Sequence, residues 1–232
     1  MSKIPIKDNL SVVRKKLSLA ATEAGRSPKE IQLIAVSKKK PTAMIHEAVL
    51  SNHTSFGENM VQEAINKMSA LKNLNNIEWH MIGHLQKNKV KFCPGNFQWI
   101  HSIESIGLIK KLEEICALKQ KKINVLIQVN LSQEKSKFGV HKLDELLQLG
   151  ETLHLGCWLK FRGLMTIPEP DLGEVSTRKI FEKLRIWRDH LQKELGAPEI
   201  NELSMGMTSD FEWAIKEGAT MIRLGTAIFG SR

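Results

Sequence analysis

The chain of 232 residues contains no tyrosine, only three cysteines, and no apolar run long enough to cross a bilayer. Each absence narrows what the protein can be. Without tyrosine, no phenol is available as an acid or base. Cys93, Cys116 and Cys157 are odd in number, widely spaced and free of any CxxC pair, so neither a disulfide framework nor a zinc knuckle is supported. A reducing cytoplasm fits best. The opening MSKIPIKDNLSVVRKKL has charges every few residues and no apolar stretch of the kind an export signal needs, so a soluble cytoplasmic protein with no membrane partner is expected. There is also no low-complexity segment and no linker rich in proline, glycine or serine. What is present is ordinary globular composition, 42% hydrophobic and 25% charged. The 34 Lys and Arg against 25 Asp and Glu leave a net charge of +9, which suits an anionic partner, either a phosphorylated small molecule or nucleic acid.

Short β-type runs alternate with longer amphipathic stretches along the chain. After a helical lead-in over residues 1–30, the β-type runs are IQLIAVS, TSFGEN, IEWHMIG, QWIHSIE, INVLIQVN, LKFRGLMTI, INELSMG and TMIRLGTAIFG. Between them lie segments such as PTAMIHEAVLSN, VQEAINKMSALKNL, LQKNKVKF and STRKIFEKLRIWRDHLQKEL, most with apolar residues at helical spacing. Alternation of this kind predicts parallel strands joined by right-handed crossovers, and eight units in roughly 250 residues is the size of a (β/α)8 TIM barrel. A doubly wound open sheet is the main rival, but no glycine-rich dinucleotide fingerprint follows the first strand. One α/β domain covering 1–232 is expected.

In such a barrel the active face lies at the C-terminal ends of the strands, so polar residues that close apolar runs are the candidates. They are Lys38; Glu58 and Asn59; His80 and His84; Glu104; Asn130; Met165 and Thr166; Ser204; and Arg223, Gly225 and Thr226. In LIAVSKKKP, strand alternation puts Ile34, Val36 and Lys38 on one face and Leu33, Ala35, Ser37 and Lys39 on the other. Lys38 is therefore the inward candidate, and a partly desolvated lysine there could offer a neutral amine for a Schiff base. The alternative is that all three lysines are solvated charge at a strand end. Arg223 interrupts an apolar run, where a buried guanidinium requires an anion or a strong acceptor, either Glu202 or a ligand. Gly225 and Thr226, together with Ser204 and Gly206 of LSMGMTSD, follow the last two strands, where barrels frequently bind phosphate. His80 and His84 lack a third metal ligand, and a structural role suits them better. The basic clusters KNKVK and KKLEEICALKQKK lack interleaved aromatics, so no nucleic-acid partner is expected.

LIAVSKKKP, FGENMVQE, WHMIGHLQKNK, SIES, VNLSQEKSKFGV, GLMTI, LSMGMTSDFEWAI and IRLGTAIFG occur in this order over about nine-tenths of the chain. In them the sequence resembles the YggS/PROSC family of pyridoxal phosphate homeostasis proteins. The resemblance implies a single fold-type III barrel like the amino-terminal domain of alanine racemase, with pyridoxal 5′-phosphate (PLP) as cofactor. It implies a Schiff base on Lys38, with Ser204, Gly225 and Thr226 near the phosphate. Arg223 should face the pyridine nitrogen, and Asn59, His80 and Met165 should surround the ring. It further implies vitamin B6 homeostasis without robust turnover, PLP-dependent apoenzymes as recipients, and a monomer. A weak amino-acid racemase is the alternative. Racemases of this fold type use a tyrosine base at an interface with a second domain, and this chain has no tyrosine and no length left for that domain. Two departures from the family pattern are Met60 in GENMVQE, where an aromatic or basic residue is common, and Thr208 after MGM, where serine is common.

Overall fold

The computed structural model describes residues 5–131 and 138–231. Eight parallel strands close into a barrel in sequence order. They are β1 (Gln32–Val36), β2 (Ser55–Glu58), β3 (Glu78–Met81), β4 (Trp99–Ile103), β5 (Ile123–Gln128), β6 (Leu159–Met165), β7 (Glu202–Ser204) and β8 (Met221–Leu224). The helices are α1 (Ile6–Glu23), α2 (Thr42–Leu50), α3 (Val61–Ala70), α4 (Ile106–Lys119), α5 (Leu143–His154), α6 (Gly173–Leu195), α7 (Phe211–Lys216) and α8 (Thr226–Phe229). The expected TIM barrel is therefore formed. Six of the expected residues of VNLSQEKSKFGV, positions 132–137, lie outside the described residues.

Two expectations change in detail. LQKNKVKF forms a 3-10 segment, Lys87–Phe92, rather than an α-helix. TMIRLGTAIFG is not one strand: β8 stops at Leu224, and Thr226–Phe229 turns into α8. The apolar residues Ala227, Ile228 and Phe229 are equally compatible with strand or helix, and Gly225 marks the break.

Alternation divides the strands as the pattern in β1 requires. Leu33 and Ala35 belong to the large apolar layer between barrel and helices. Ile34 belongs to a small inner cluster with Trp99, Leu126, Met165 and Met221. The outer layer is sealed by helices whose buried residues recur three and four apart, as in α1 with Ile6, Leu10, Val13, Leu17, Ala20 and Ala21. Each fully buried leucine or isoleucine contributes roughly 1.5–3 kcal/mol. Helix α1 sits against α2, α7 and α8, so the lead-in covers the side of the barrel where its last strand meets its first.

Candidate active site

The end of β1 is built by hydrogen bonds that leave little freedom to the residues around Lys38. Ser37 donates its backbone N–H to Gly57 O at 3.0 Å, and Lys40 N–H donates to Ser37 O at 3.0 Å. Between them Lys39 adopts a left-handed φ of 59°. Helix α3 supports this turn from outside the barrel. Lys67 Nζ donates to Ser37 O at 2.6 Å, to Glu58 Oε1 at 2.8 Å and to Glu63 Oε1 at 2.7 Å. Glu63 Oε1 also accepts the Lys39 amide. The backbone on both sides of Lys38 is thus clamped to one helix. Lys40 departs from the expected solvated charge: its Nζ donates to the carbonyls of Gly230 and Ser231, each at 2.9 Å.

Lys38 borders a cavity of about 500 Å³ at the C-terminal ends of the strands. Its walls include Val36, Asn59, Ile82, Ile167, Met207, Thr208, Ser209, Arg223, Gly225 and Thr226. Thr226 and Thr208 hydroxyls approach to 3.2 Å, which brings the start of α8 and the turn after β7 together. That turn needs glycine: Gly206 has φ +97°, and a Cβ there would lie 2.7 Å from Ala214 Cβ. Gly225 packs beside Val36 at the cavity edge, where a Cβ would meet Val36 at ordinary contact distance. A larger depression of about 680 Å³ lies on the outer surface by α1, lined by Lys7, Arg14 and Lys15 among others. Its Arg14 guanidinium is engaged by the carbonyls of Ser51 and Asn52, and its lining comes from α1 and the end of α2, with none from the C-terminal end of a strand.

Five of the eight expected site residues meet at the cavity: Lys38, Asn59, Arg223, Gly225 and Thr226. The other three, His80, Met165 and Ser204, are fully buried beneath it. Their inward parity is as expected, but they close the barrel interior one layer deeper than a direct contact requires. Ser204 Oγ accepts from Arg223 Nη1 at 2.6 Å and lies 2.9 Å from His101 Nδ1. Arg223 Nη2 donates to Thr166 O at 2.9 Å. Arg223 therefore takes neutral acceptors and not Glu202, which accepts instead from Thr220 Oγ1 at 2.6 Å. His84 stands apart from His80 and pairs with Glu104 at 3.0 Å. Among the described residues, no group of three or more His, Cys, Asp or Glu side chains is placed to hold a metal ion.

Burial sets the electrostatics. It lowers the Arg223 guanidinium to about 10, against the opposing charge of Asp210. Asp210 is itself raised by burial, although it accepts the Met207 amide and faces Arg223. Burial also raises Glu58, outweighing its hydrogen bonds from Lys67 and Ser37. Sequence reasoning did not reach His101 or Asp210. Neither closes an apolar run: His101 lies mid-strand in WIHSI, and Asp210 looks like an ordinary residue before a helix.

The donor set suits a flat, phosphorylated aldehyde. An amine and a guanidinium border one cavity, aliphatic side chains of Val36, Ile82 and Ile167 offer apolar walls, and hydroxyls cluster beside a bare glycine. Fold and site together define a barrel of the alanine racemase type, and a family profile described as the alanine racemase N-terminal domain matches residues 8–232. The pyridoxal phosphate homeostasis protein of Escherichia coli K12 is 42% identical over 229 residues, covering 98% of this chain and 97% of that one. The Pseudomonas aeruginosa protein of the same name is 40% identical over 227 residues, covering 98% and 96%. PipY of Synechococcus elongatus, solved with PLP bound, superposes with a TM-score of 0.87 at 36% identity, covering 97% of this chain and all of that one. The chain belongs to the YggS/PROSC family of pyridoxal phosphate homeostasis proteins.

Proposed function

We propose that this protein binds PLP at the strand-end cavity as a Schiff base on Lys38 and serves to keep, buffer or hand over the cofactor. The observation that carries this reading is the meeting of Lys38 with Arg223, Gly225 and Thr226 around one cavity. When bound, the cofactor would supply an aldehyde carbon able to condense with the Lys38 amine with loss of water. Arg223 faces the ring nitrogen. A cation there disfavours protonation of that nitrogen and weakens the ring as an electron sink, so carbanion chemistry is muted. Gly225 and Thr226, with Thr208 and Ser209 opposite, hold the phosphate, and Asn59 flanks the ring. Ser204, His80 and Met165 act from beneath, by holding Arg223 and the inner packing. Racemisation has less support, because no tyrosine is present to act as the second base. The protein works as a monomer in the cytoplasm and delivers PLP to apoenzymes that use it.

The test is the absorption spectrum of the purified protein incubated with PLP, followed by borohydride reduction and peptide mapping. A visible band and a reduced adduct on Lys38 are expected. A wild-type protein that takes up no PLP, or carries its adduct elsewhere, would overturn the reading. Holoprotein incubated with L-alanine should release no D-alanine above the rate with free PLP.

A further inference from the structure

From Arg223 at the cavity a row of polar side chains descends through the barrel interior. Starting from Arg223, it passes to Ser204 Oγ at 2.6 Å and from there to His101 Nδ1 at 2.9 Å. His101 Nε2 lies 3.0 Å from His80 Nδ1, and His80 Nε2 lies 3.1 Å from Glu78 Oε2. The row runs from the cavity to the N-terminal end of the barrel, where Glu78 opens β3. Its four inner members are buried, with His80, His101 and Ser204 at 0% exposure and Arg223 at 4%. Only the Glu78 side chain reaches solvent, at 34%.

Proton counting gives this row one direction. Glu78 also accepts from Gln32 Nε2 and from Ser55 Oγ, and Trp99 Nε1 donates to its other oxygen at 2.9 Å. Partial burial alone would raise its carboxyl, but the hydrogen bonds from His80, Trp99 and Gln32 hold it below the ordinary carboxylate range, so it is ionised and accepts only. His80 must therefore carry its proton on Nε2. Burial keeps both imidazoles neutral, lowering His80 despite its carboxylate partner and lowering His101 well below the ordinary histidine value. A neutral His80 with a proton on Nε2 can only accept at Nδ1, so His101 donates from Nε2 and accepts at its own Nδ1. The remaining donor for that nitrogen is the Ser204 hydroxyl, whose oxygen accepts from Arg223. Each bond in the chain polarises the next.

We propose that Glu78, His80 and His101 are positioning residues for Arg223: a one-way hydrogen-bonded chain along the barrel interior holds the guanidinium toward the cavity and ties its charge to the Glu78 carboxylate at the opposite end. This rests on the reading of the cavity as a PLP site for its consequence, though not for its geometry. With the Asp210 carboxylate as its nearby counter-charge, the chain accounts for a buried arginine whose direct partners are neutral oxygens. It also makes residues on the far side of the barrel determinants of how firmly the ring nitrogen is met.

The chain can be read in the cofactor-free protein by nitrogen-15 NMR of histidine and arginine side chains. Wild type should show His80 and His101 both neutral with the proton on Nε2 at neutral pH. Glu78→Leu removes the acceptor that fixes the proton of His80 on Nε2, so both rings should become tautomer mixtures, and the Arg223 Nε–H signal should move and exchange faster with water. Ser204→Ala should leave both tautomers in place, because they are set from the Glu78 end, and should move only the Arg223 signal, whose Nη1 loses its acceptor. In the PLP-loaded protein, Glu78→Leu should shift the visible band and weaken PLP binding by about tenfold. A protonated imidazole or an Nδ1–H tautomer in wild type would overturn the chain, as would tautomers indifferent to Glu78→Leu. An unmoved Arg223 signal or an unchanged PLP affinity in that variant would overturn the positioning role. If wild type binds no PLP, the cofactor reading falls by itself, while the histidine and arginine signals still decide the chain.

Discussion

Lys38 and its neighbours show how much one position depends on parity and turn geometry. Lys38 follows Ile34 and Val36 on the inner face and reaches the cavity. Lys39 takes a left-handed φ and is exposed. Lys39→Ala is therefore expected to keep the adduct on residue 38, with PLP uptake within about twofold of wild type by titration, since a solvated lysine contributes little. Lys38→Ala should remove the reducible adduct from the 38-containing peptide, and mass mapping after borohydride treatment checks it. Arg223→Met keeps much of the volume but removes the donors to Ser204 and Thr166, and leaves those acceptors without their partner. It should cost about 1–3 kcal/mol of stability in urea unfolding. A variant as stable as wild type would show that these bonds contribute nothing net.

At the scale of elements, α3 acts as the outer support of the β1 turn. Lys67 is buried and joins Ser37 O to the carboxylates of Glu58 and Glu63. Lys67→Met removes the cation that joins this group and leaves a fully buried Glu58 with only the Ser37 hydroxyl as donor, so a loss of about 3–5 kcal/mol is expected by denaturant unfolding. Adding Glu58→Gln should recover part of it, because the uncompensated charge is then gone. None of this was legible in the sequence. FGENMVQEAINK presents Glu58 at a strand end and Lys67 among ordinary polar helix residues, and only the packing of α3 on β2 brings them together. The run of apolar residues after Gly225 was misleading in the same way: a four-residue helix and a strand end have the same composition, and their difference lies in the hydrogen bonds of Ile228 and Phe229 back to Gly225 O.

For the whole molecule, buried imidazoles govern the response to acid. His53, His80 and His101 are lowered mainly by burial, His53 to about 4. In the unfolded chain such rings take up protons near 6.5. Below that value the unfolded state binds more protons than the folded one, so stability must fall as pH falls toward the folded-state values. The slope is up to about 1.4 kcal/mol per pH unit for each ring. Glu58, Glu104 and Asp210, all raised chiefly by burial, oppose this at the acid end, because their folded carboxyls hold protons more readily. The midpoint of urea unfolding should drop between pH 7 and pH 5, and a flat or rising midpoint would contradict the neutral imidazoles. PLP should stabilise the protein by mass action, by about 2.7 kcal/mol at a free concentration one hundred times its dissociation constant. A melting temperature indifferent to PLP would count against the cavity as its site.

The barrel itself was determined by the sequence, because eight apolar runs separated by amphipathic segments leave few ways to bury both faces of a parallel sheet. The inward parity of Arg223 was determined likewise, since alternation within a strand is a local property, whereas Lys38 lies beyond the end of β1 and its place at the cavity depends on the turn that α3 supports. What only the tertiary structure decided was depth and partnership. Ser204, His80 and Met165 have the right parity but lie under the cavity floor, because the strands that carry them end at different heights around the barrel. His101 and Glu78 come into line with Arg223 from strands distant in sequence, through a register that no single segment contains. A strand's own pattern says which way a side chain points. How far up the barrel it sits, and what it meets there, depends on the stagger of all eight strands together.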